Sequence, residues 1–317
     1  MLYKLYGLAV DIDDLLPGVP SVSYAEVDIR VRRTTSSKSF STPSHWFMHW
    51  HFPNGELWLS FAKVNGKYLL RFNELADFFV NNDGNEIVFT PKHDVPTDTI
   101  QHLLLDQVIP LVINLKGGEA IHSSAVLKPM GVVAFAGPAG SGKSTLSGGL
   151  FNLGYPLVSD DCLALLEKNE EIYAIPAYPG LRLWEDALSF LFGDNNNHNS
   201  VAHYTNKLRL AIESKPGAYC VEPHPFRRLY DIAAPSKAKG GIDIIIESLS
   251  PKESFMALVR CAFRLDITDH AMLKRQFHFL ERVASRVSVR RLIFPKDFNL
   301  FPDVREVILN DLQDLDN

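Results

Sequence analysis

The sequence predicts an α/β fold in two parts. A β-rich N-terminal domain covers residues 1–96, and a P-loop domain with a mixed sheet covers residues 97–317. Three observations predict it. The first third alternates apolar and aromatic runs with Asn-Gly and Asp-Gly turns. After residue 97 short apolar strands alternate with helical patterns. Between them stands a strand, a glycine loop and a helix at 132–153.

Taken in order, Val27, Ile29 and Val31 alternate with charged residues, the period of a half-exposed strand. Pro53-Asn54-Gly55 separates Trp46–Phe52 from Leu57–Phe61, Asn65-Gly66 precedes a run ending at Phe72, and Asn82-Asp83-Gly84 precedes Ile87–Thr90. Such dipeptides accept positive φ at low cost, so the stretch reads as an antiparallel meander. Its His45, His49 and His51 lack the cysteine or carboxylate partners of a metal site. Pro91 and Pro96 mark the domain boundary, and Thr97 or Asp98 caps a helix carrying Ile100, Leu103, Leu104, Val108, Leu111 and Val112. Pro110 kinks or divides that helix, and Gly117-Gly118 ends it. Ala120–Leu127, Val132–Ala136, Leu157–Val158, Leu163–Leu166, Ile172–Ile175, Leu229–Ile232, Ile242–Glu247 and Val287–Ile293 read as strands. Lys143 to about Leu153, Lys252–Phe263 and Thr268–Ser285 read as helices. The polar stretches 193–200 and 233–241 read as loops.

Composition narrows the function. Among 317 residues, 32 are Lys or Arg and 37 are Asp or Glu, giving a net charge of −5. An acidic chain lacks the basic surface that nucleic acid requires. No apolar run reaches the length of a membrane-spanning helix, and the start lacks the basic-then-apolar pattern of a secretion signal. The three cysteines, Cys162, Cys220 and Cys261, are far apart and odd in number. A reduced, cytoplasmic protein is expected, with neither nucleic acid nor membrane as partner.

The strongest signal is Gly137-Pro138-Ala139-Gly140-Ser141-Gly142-Lys143-Ser144, a full G-x-x-x-x-G-K-[ST] motif followed by Thr145. The glycines let backbone N–H groups turn toward phosphate oxygens, and the helix N-terminus favours negative charge. Lys143 is placed to reach the β- and γ-phosphates of ATP, and Ser144 to hold Mg²⁺. Asp160 and Asp161 follow at the end of the strand Leu157-Val158-Ser159. One carboxylate can orient Mg²⁺ while the other accepts a proton from an incoming hydroxyl. The plainer reading is a solvated Asp-Asp turn. His122 lies on the strand before the loop strand; if the two are neighbours, it approaches the phosphates.

At these positions the sequence resembles the catalytic domain of HPr kinase/phosphorylase, a bacterial Ser kinase with a phosphate loop. The resemblance is carried by His122, the loop 137–144, and Gly154-Tyr155-Pro156-Leu157-Val158-Ser159-Asp160-Asp161, with the family's spacing. It covers roughly residues 118–185. It implies Asp160 as general base, Asp161 and Ser144 as Mg²⁺ ligands, His122 as the group that orients or tunes the acid/base, and Lys143 as the stabiliser of the transferring phosphoryl. It also implies a homo-oligomer. Downstream, Pro179-Gly180-Leu181-Arg182-Leu183-Trp184 and Lys207-Leu208-Arg209 look like elements of diverse HPr-kinase-related proteins, as does the start, Tyr3–Val10 through Leu15-Leu16-Pro17. Some of these relatives phosphorylate a serine of a precursor peptide. Arg182 and Lys207 are candidate partners for phosphate charge; the alternative is surface cations beside Glu185 and Glu213.

The family's Glu-[IV]-Arg-Gly-x-Gly signature, which accompanies the reverse reaction, is not found, so dephosphorylation is not expected and HPr need not be the substrate. The N-terminal part does not resemble that of the bifunctional enzyme and reads as an acceptor-recognition or packing module. Ile242–Glu247 fits a plain strand better than an acid-ended ATPase motif. Arg282, Arg286, Arg290 and Arg291 fit a solvated face better than a peptide dock. The leading expectation is an ATP- and Mg²⁺-dependent kinase acting on a hydroxyl, Ser of a protein or peptide. The alternatives are a nucleotide-binding regulator or scaffold without phosphotransfer, and a small-molecule alcohol kinase.

Overall fold

A computed structural model describes the chain apart from residues 15, 17, 35–42, 53, 194–197, 211, 213–216, 236–243 and 316–317. Several expected features fall on those positions: Leu15, Pro17, Pro53, Glu213, the middle of the 193–200 loop, most of 233–241, and the start of the strand read from Ile242.

The first 91 residues build an eight-stranded sheet. Its order is Leu2–Leu5, Leu8–Ile12, Ile29–Arg33, Glu86–Pro91, Ala76–Asn81, Lys67–Phe72, Leu57–Val64 and Met48–His51. The last five strands form the expected antiparallel meander, with Asn65 and Gly66 both at positive φ in one of its turns. Ile29–Arg33 departs from it and runs parallel to both neighbours. His49 Nδ1 lies 2.9 Å from Ser60 Oγ, and no metal-competent cluster of three His, Cys, Asp or Glu occurs among the described residues.

The helical segment after Pro96 packs on this sheet in one continuous core, where Ile100, Leu104, Val108 and Val112 meet Val10, Phe61, Phe78 and Phe89. The chain therefore crosses the expected boundary at 96/97 without leaving that core. Pro110 divides the helix as expected, in a particular way. Thr97–Leu103 and Ile109–Leu115 are α-helical, and Leu104–Val108 between them is a π-helical turn. Proline has no N–H for the carbonyl four residues back and crowds it, and a wider turn relieves both problems. The turn carries Asp106 into the interior, where its side chain has no exposed surface.

The second sheet holds nine strands. Its centre is Gly131–Ala136, antiparallel to Ser123–Lys128 and parallel to His224–Ala233, which in turn runs parallel to Ser288–Ile293. Val132, Ala134 and Ala136 face helices Pro251–Cys261 and His270–Arg286; Val133 and Phe135 face Lys143–Asn152, Glu185–Phe192 and Phe301–Leu312. Burial on both faces explains why this strand reads as an unbroken apolar run. Helices thus cover both faces of a mixed sheet. Glu119 lies under this assembly at 1% exposure, accepting hydrogen bonds from Asn114 Nδ2 (3.1 Å) and Gln276 Nε2 (2.7 Å).

Burial pushes the Glu119 carboxyl up from 4.5 to about 7, against the opposing hydrogen bond from Gln276. A carboxyl whose folded pKa is raised contributes stability that is fully present below about pH 4.5 and is lost as pH rises through about 7. Glu119→Gln should therefore flatten the fall in stability across that window and raise urea resistance at about pH 8, by on the order of 3 kcal/mol. Parallel stability–pH curves for the two proteins would contradict this.

The basic stretch near the end is paired. Arg282 and Arg286 both bind Glu167, at 2.7 and 2.5 Å, and Arg290 binds Asp311 and Asp314. Glu247 sits on the strand Ile245–Ser248 opposite Arg291, as a plain sheet residue.

Candidate functional site

The expected strand Ala120–Leu127 is two strands, Glu119–Ile121 and Ser123–Lys128, broken at His122. The first pairs with Leu163–Lys168 and the second with the loop strand Gly131–Ala136. The chain changes partners at His122, whose backbone N–H donates to the Cys261 carbonyl at 2.6 Å. The break leaves the imidazole beside the loop.

Residues 137–142 connect Gly131–Ala136 to the helix Lys143–Asn152. Gly137 has φ +153°, and a Cβ there would lie 2.8 Å from Ser141 Oγ and 3.0 Å from the Ile232 carbonyl. Gly142 caps the helix at φ +102°. Both positions need glycine, one for space as well as conformation. Ser147, one turn into the helix, meets Ser124 Oγ and fastens the helix to the neighbouring strand. The Lys143 ammonium donates to the carbonyls of Gly137 (2.9 Å) and Pro138 (3.1 Å). Burial lowers its pKa; Asp161 works the other way.

A cavity of about 200 Å³ opens over this loop. It is lined by Ala139–Thr145 together with His122, Asp161, Arg182, Leu183, Trp184 and Lys207. His122, Lys143, Ser144, Asp161 and Lys207, singled out in the sequence, thus face one space, although 85 positions separate His122 from Lys207. Gly137 and Pro138 hold the lysine from behind.

The two aspartates sit in different surroundings. Ser144 Oγ donates to Asp160 Oδ1 at 2.8 Å, and the Arg182 backbone N–H donates to Asp160 Oδ2 at 2.9 Å. The Asp160 side chain has no exposed surface, whereas Asp161 retains 15% and lines the cavity. Asp161 has φ +69°, a conformation costing a non-glycine residue about 1–3 kcal/mol. Its carbonyl lies 2.8 Å from His122 Nδ1. A carbonyl only accepts, so that nitrogen donates and the neutral ring keeps a lone pair on Nε2. Burial lowers the His122 pKa, with Asp161 opposing. Burial also resists ionisation of Asp161, but Arg182, Lys207 and His122 overcome it and hold the carboxyl well below its usual range.

Arg182 also lines the cavity and is buried, so it is not the surface cation of the alternative reading. It is 1% exposed, and its guanidinium binds the Asp106 carboxylate and the Asp160 carbonyl, with Asp161 3.4 Å away. Asp106 also accepts from Tyr178 Oη at 2.8 Å and lies 2.9 Å from His102 Nδ1. Burial opposes the charge on both Arg182 and Asp106; their mutual attraction keeps both ionised. Asp106, His102 and Tyr178 escaped the sequence reading. Their one signal was a single charged residue in the otherwise uncharged run Leu103–Ile113.

The fold and cavity define a mixed α/β protein in which a glycine loop, a lysine, a serine and two aspartates converge at the end of the central strand Gly131–Ala136. No protein-family model matches the chain, and no curated protein matches it. Among solved structures it is similar to the Hpr(Ser) kinase/phosphatase from Coxiella burnetii, with 16% identity and a TM-score of 0.34 over 62% of this chain and 99% of that one. Among the described residues no helix is long and apolar enough to cross a membrane.

Proposed function

We propose that the chain is a kinase that transfers the γ-phosphoryl group of ATP, with Mg²⁺, to a hydroxyl, Ser of a protein or peptide. The observation that carries this reading is the convergence of Lys143, Ser144, Asp161 and His122 on one cavity over the glycine loop. A pure nucleotide binder needs a carboxylate there only for Mg²⁺, whereas transfer to a hydroxyl also needs a proton acceptor.

The acceptor oxygen forms a bond to the γ-phosphorus as the bond from phosphorus to the β–γ bridging oxygen breaks, and ADP leaves with that electron pair. The hydroxyl proton passes to Asp161. Its carboxylate is a weak base, which suits a loose transition state that places little demand on base strength and much on position. His122 acts as a positioning residue, holding the Asp161 carbonyl and with it the backbone turn that points the carboxylate into the cavity. Lys143 exchanges its loop carbonyls for phosphate oxygens and neutralises charge on the transferring group. Ser141 Oγ, buried without a hydrogen-bond partner among the described residues, is a further donor in the loop.

The donor set beside the loop is hydroxyl and carboxylate oxygen, which fits Mg²⁺, an ion that takes few protein ligands and keeps substrate phosphates and waters. Ser144 and Asp160, already in contact, would hold it. Bound there, it would supply positive charge to offset that of the phosphates.

The test is phosphate incorporation from Mg-ATP into a pool of Ser-containing peptides and host-cell extract, read by mass spectrometry. Wild type should label Ser, and Lys143→Ala should lose at least about 10²-fold, the scale of one electrostatic transition-state contact. Equal labelling by both proteins would remove the reading. ATP binding without any labelling by wild type would favour a nucleotide-sensing regulator.

A further inference from the structure

The motif accounts for phosphates and leaves the rest of the nucleotide unassigned. A second cavity, of about 220 Å³, lies against the same loop. Its wall shares Gly140, Ser141, Gly142, Thr145 and Trp184 with the polar cavity, so the two spaces flank one stretch of backbone. Their chemistry differs. The first presents the cations of Lys143, Arg182 and Lys207 and the Asp161 carboxylate. The second presents the rings of Trp184, Phe294, Phe298 and Phe301, with Asp186, Lys296 and Asp297 also in its lining. Phe298 is braced from behind by Phe190, whose ring stacks on it at 4.7 Å between centroids. Trp184 is 47% exposed, an unusual state for so large an apolar side chain.

We propose that this second cavity is the base subsite of the nucleotide, taking a purine that carries an exocyclic amine. The inference rests on the kinase reading only through its nucleotide. Continuity selects the occupant. A nucleoside triphosphate whose phosphates lie at Lys143 carries its base a ribose away, and the aromatic cavity adjoins the loop there. The rings supply stacking surface, which a planar base satisfies and an aliphatic side chain does not. Asp186 and Asp297 supply acceptors for an amine; neither can donate when ionised. The sources of the site are far apart in sequence, at the end of the strand Leu181–Trp184 and in the segment after the strand Ser288–Ile293. The loop motif names neither.

Calorimetric titration separates the base from the phosphates. Wild type, Trp184→Ala and Phe298→Ala would each be titrated with Mg-ATP and with inorganic tripolyphosphate plus Mg²⁺. Loss of one stacking ring should weaken ATP binding roughly ten-fold or more, and Phe298→Ala, whose ring lies outside the polar cavity, should leave tripolyphosphate binding unchanged. Trp184 is exposed, so its variant remains informative if Phe298→Ala fails to fold. Unchanged ATP affinity in Trp184→Ala would overturn the proposal. So would an equal loss for tripolyphosphate in Phe298→Ala, which would make the rings supports of the loop, or wild type binding tripolyphosphate as tightly as ATP. If wild type binds neither ligand, the phosphate-loop reading fails and the base subsite with it. Binding of tripolyphosphate without preference for ATP sinks the base subsite alone.

Discussion

Asp106→Ala should destabilise the protein by about 3–5 kcal/mol, the cost of leaving one member of a buried ion pair without its partner. Arg182 is 1% exposed and Asp106 has no exposed side-chain surface, so water cannot replace the lost carboxylate without opening the interior. Tyr178 and His102 lose their acceptor in the same change. Arg182 would retain the Asp160 carbonyl and Asp161 at 3.4 Å, the latter at the expense of the cavity. Asp106→Asn keeps an acceptor for Tyr178 but removes the charge, and should fall between wild type and alanine. Urea unfolding of the three proteins measures this. A loss below about 1 kcal/mol for Asp106→Ala would mean that Arg182 is held by its other contacts and that the link from the π-helical turn to the aspartates is idle. A double-mutant cycle with Arg182→Met isolates the pair, because removing both charges is far less damaging than removing one.

Asp161→Asn should leave nucleotide affinity close to that of wild type and lower the transfer rate by about 10²–10⁴-fold, the usual contribution of a positioned proton acceptor. Asparagine keeps the size of the side chain and tolerates the left-handed backbone that Asp161 occupies at φ +69°, so the turn should survive. The pH profile gives a second reading. With the Asp161 carboxyl held well below its usual range, the rate should be flat from about pH 5.5 to 8. If the His122 Nε2 lone pair takes the proton instead, the rate should climb with pH through a transition below the ordinary histidine value of 6.5, because burial lowers that pKa. His122→Asn would then abolish the transition, whereas a positioning role predicts a lower rate with an unchanged profile.

Much of the site was legible because it is local. The run Val132–Ala136 marks a strand buried on both faces, and the loop motif marks the turn and helix start that follow; all three stand where the pattern put them. Pro110 announced the division of its helix. The pairing of the second sheet was less legible. A single strand through His122 satisfied the apolar pattern equally well, and only pairing with two different partners breaks it there. Which aspartate faces the cavity was illegible for a related reason. Alternation along a strand holds only while the strand continues, and this one ends at Ser159, with Asp161 at positive φ. Asp106 and the aromatic wall at 294–301 reach the site from distant segments, and no local pattern encodes such contacts. Arg182 was visible as a cation near phosphates, yet its partner lies 76 positions away, inside the helix that joins the two sheets.

The central claim is that phosphoryl transfer occurs over the glycine loop with Asp161 facing the acceptor and Asp160 behind Ser144. Single-turnover transfer to a Ser-containing acceptor, at saturating Mg-ATP, tests it most directly in wild type, Asp160→Asn and Asp161→Asn side by side. The predicted result is a rate loss in Asp161→Asn that more nucleotide and more Mg²⁺ do not restore, against a loss in Asp160→Asn that raised Mg²⁺ partly restores. Wild-type rates in Asp161→Asn, or the opposite response of the two variants to Mg²⁺, would contradict it.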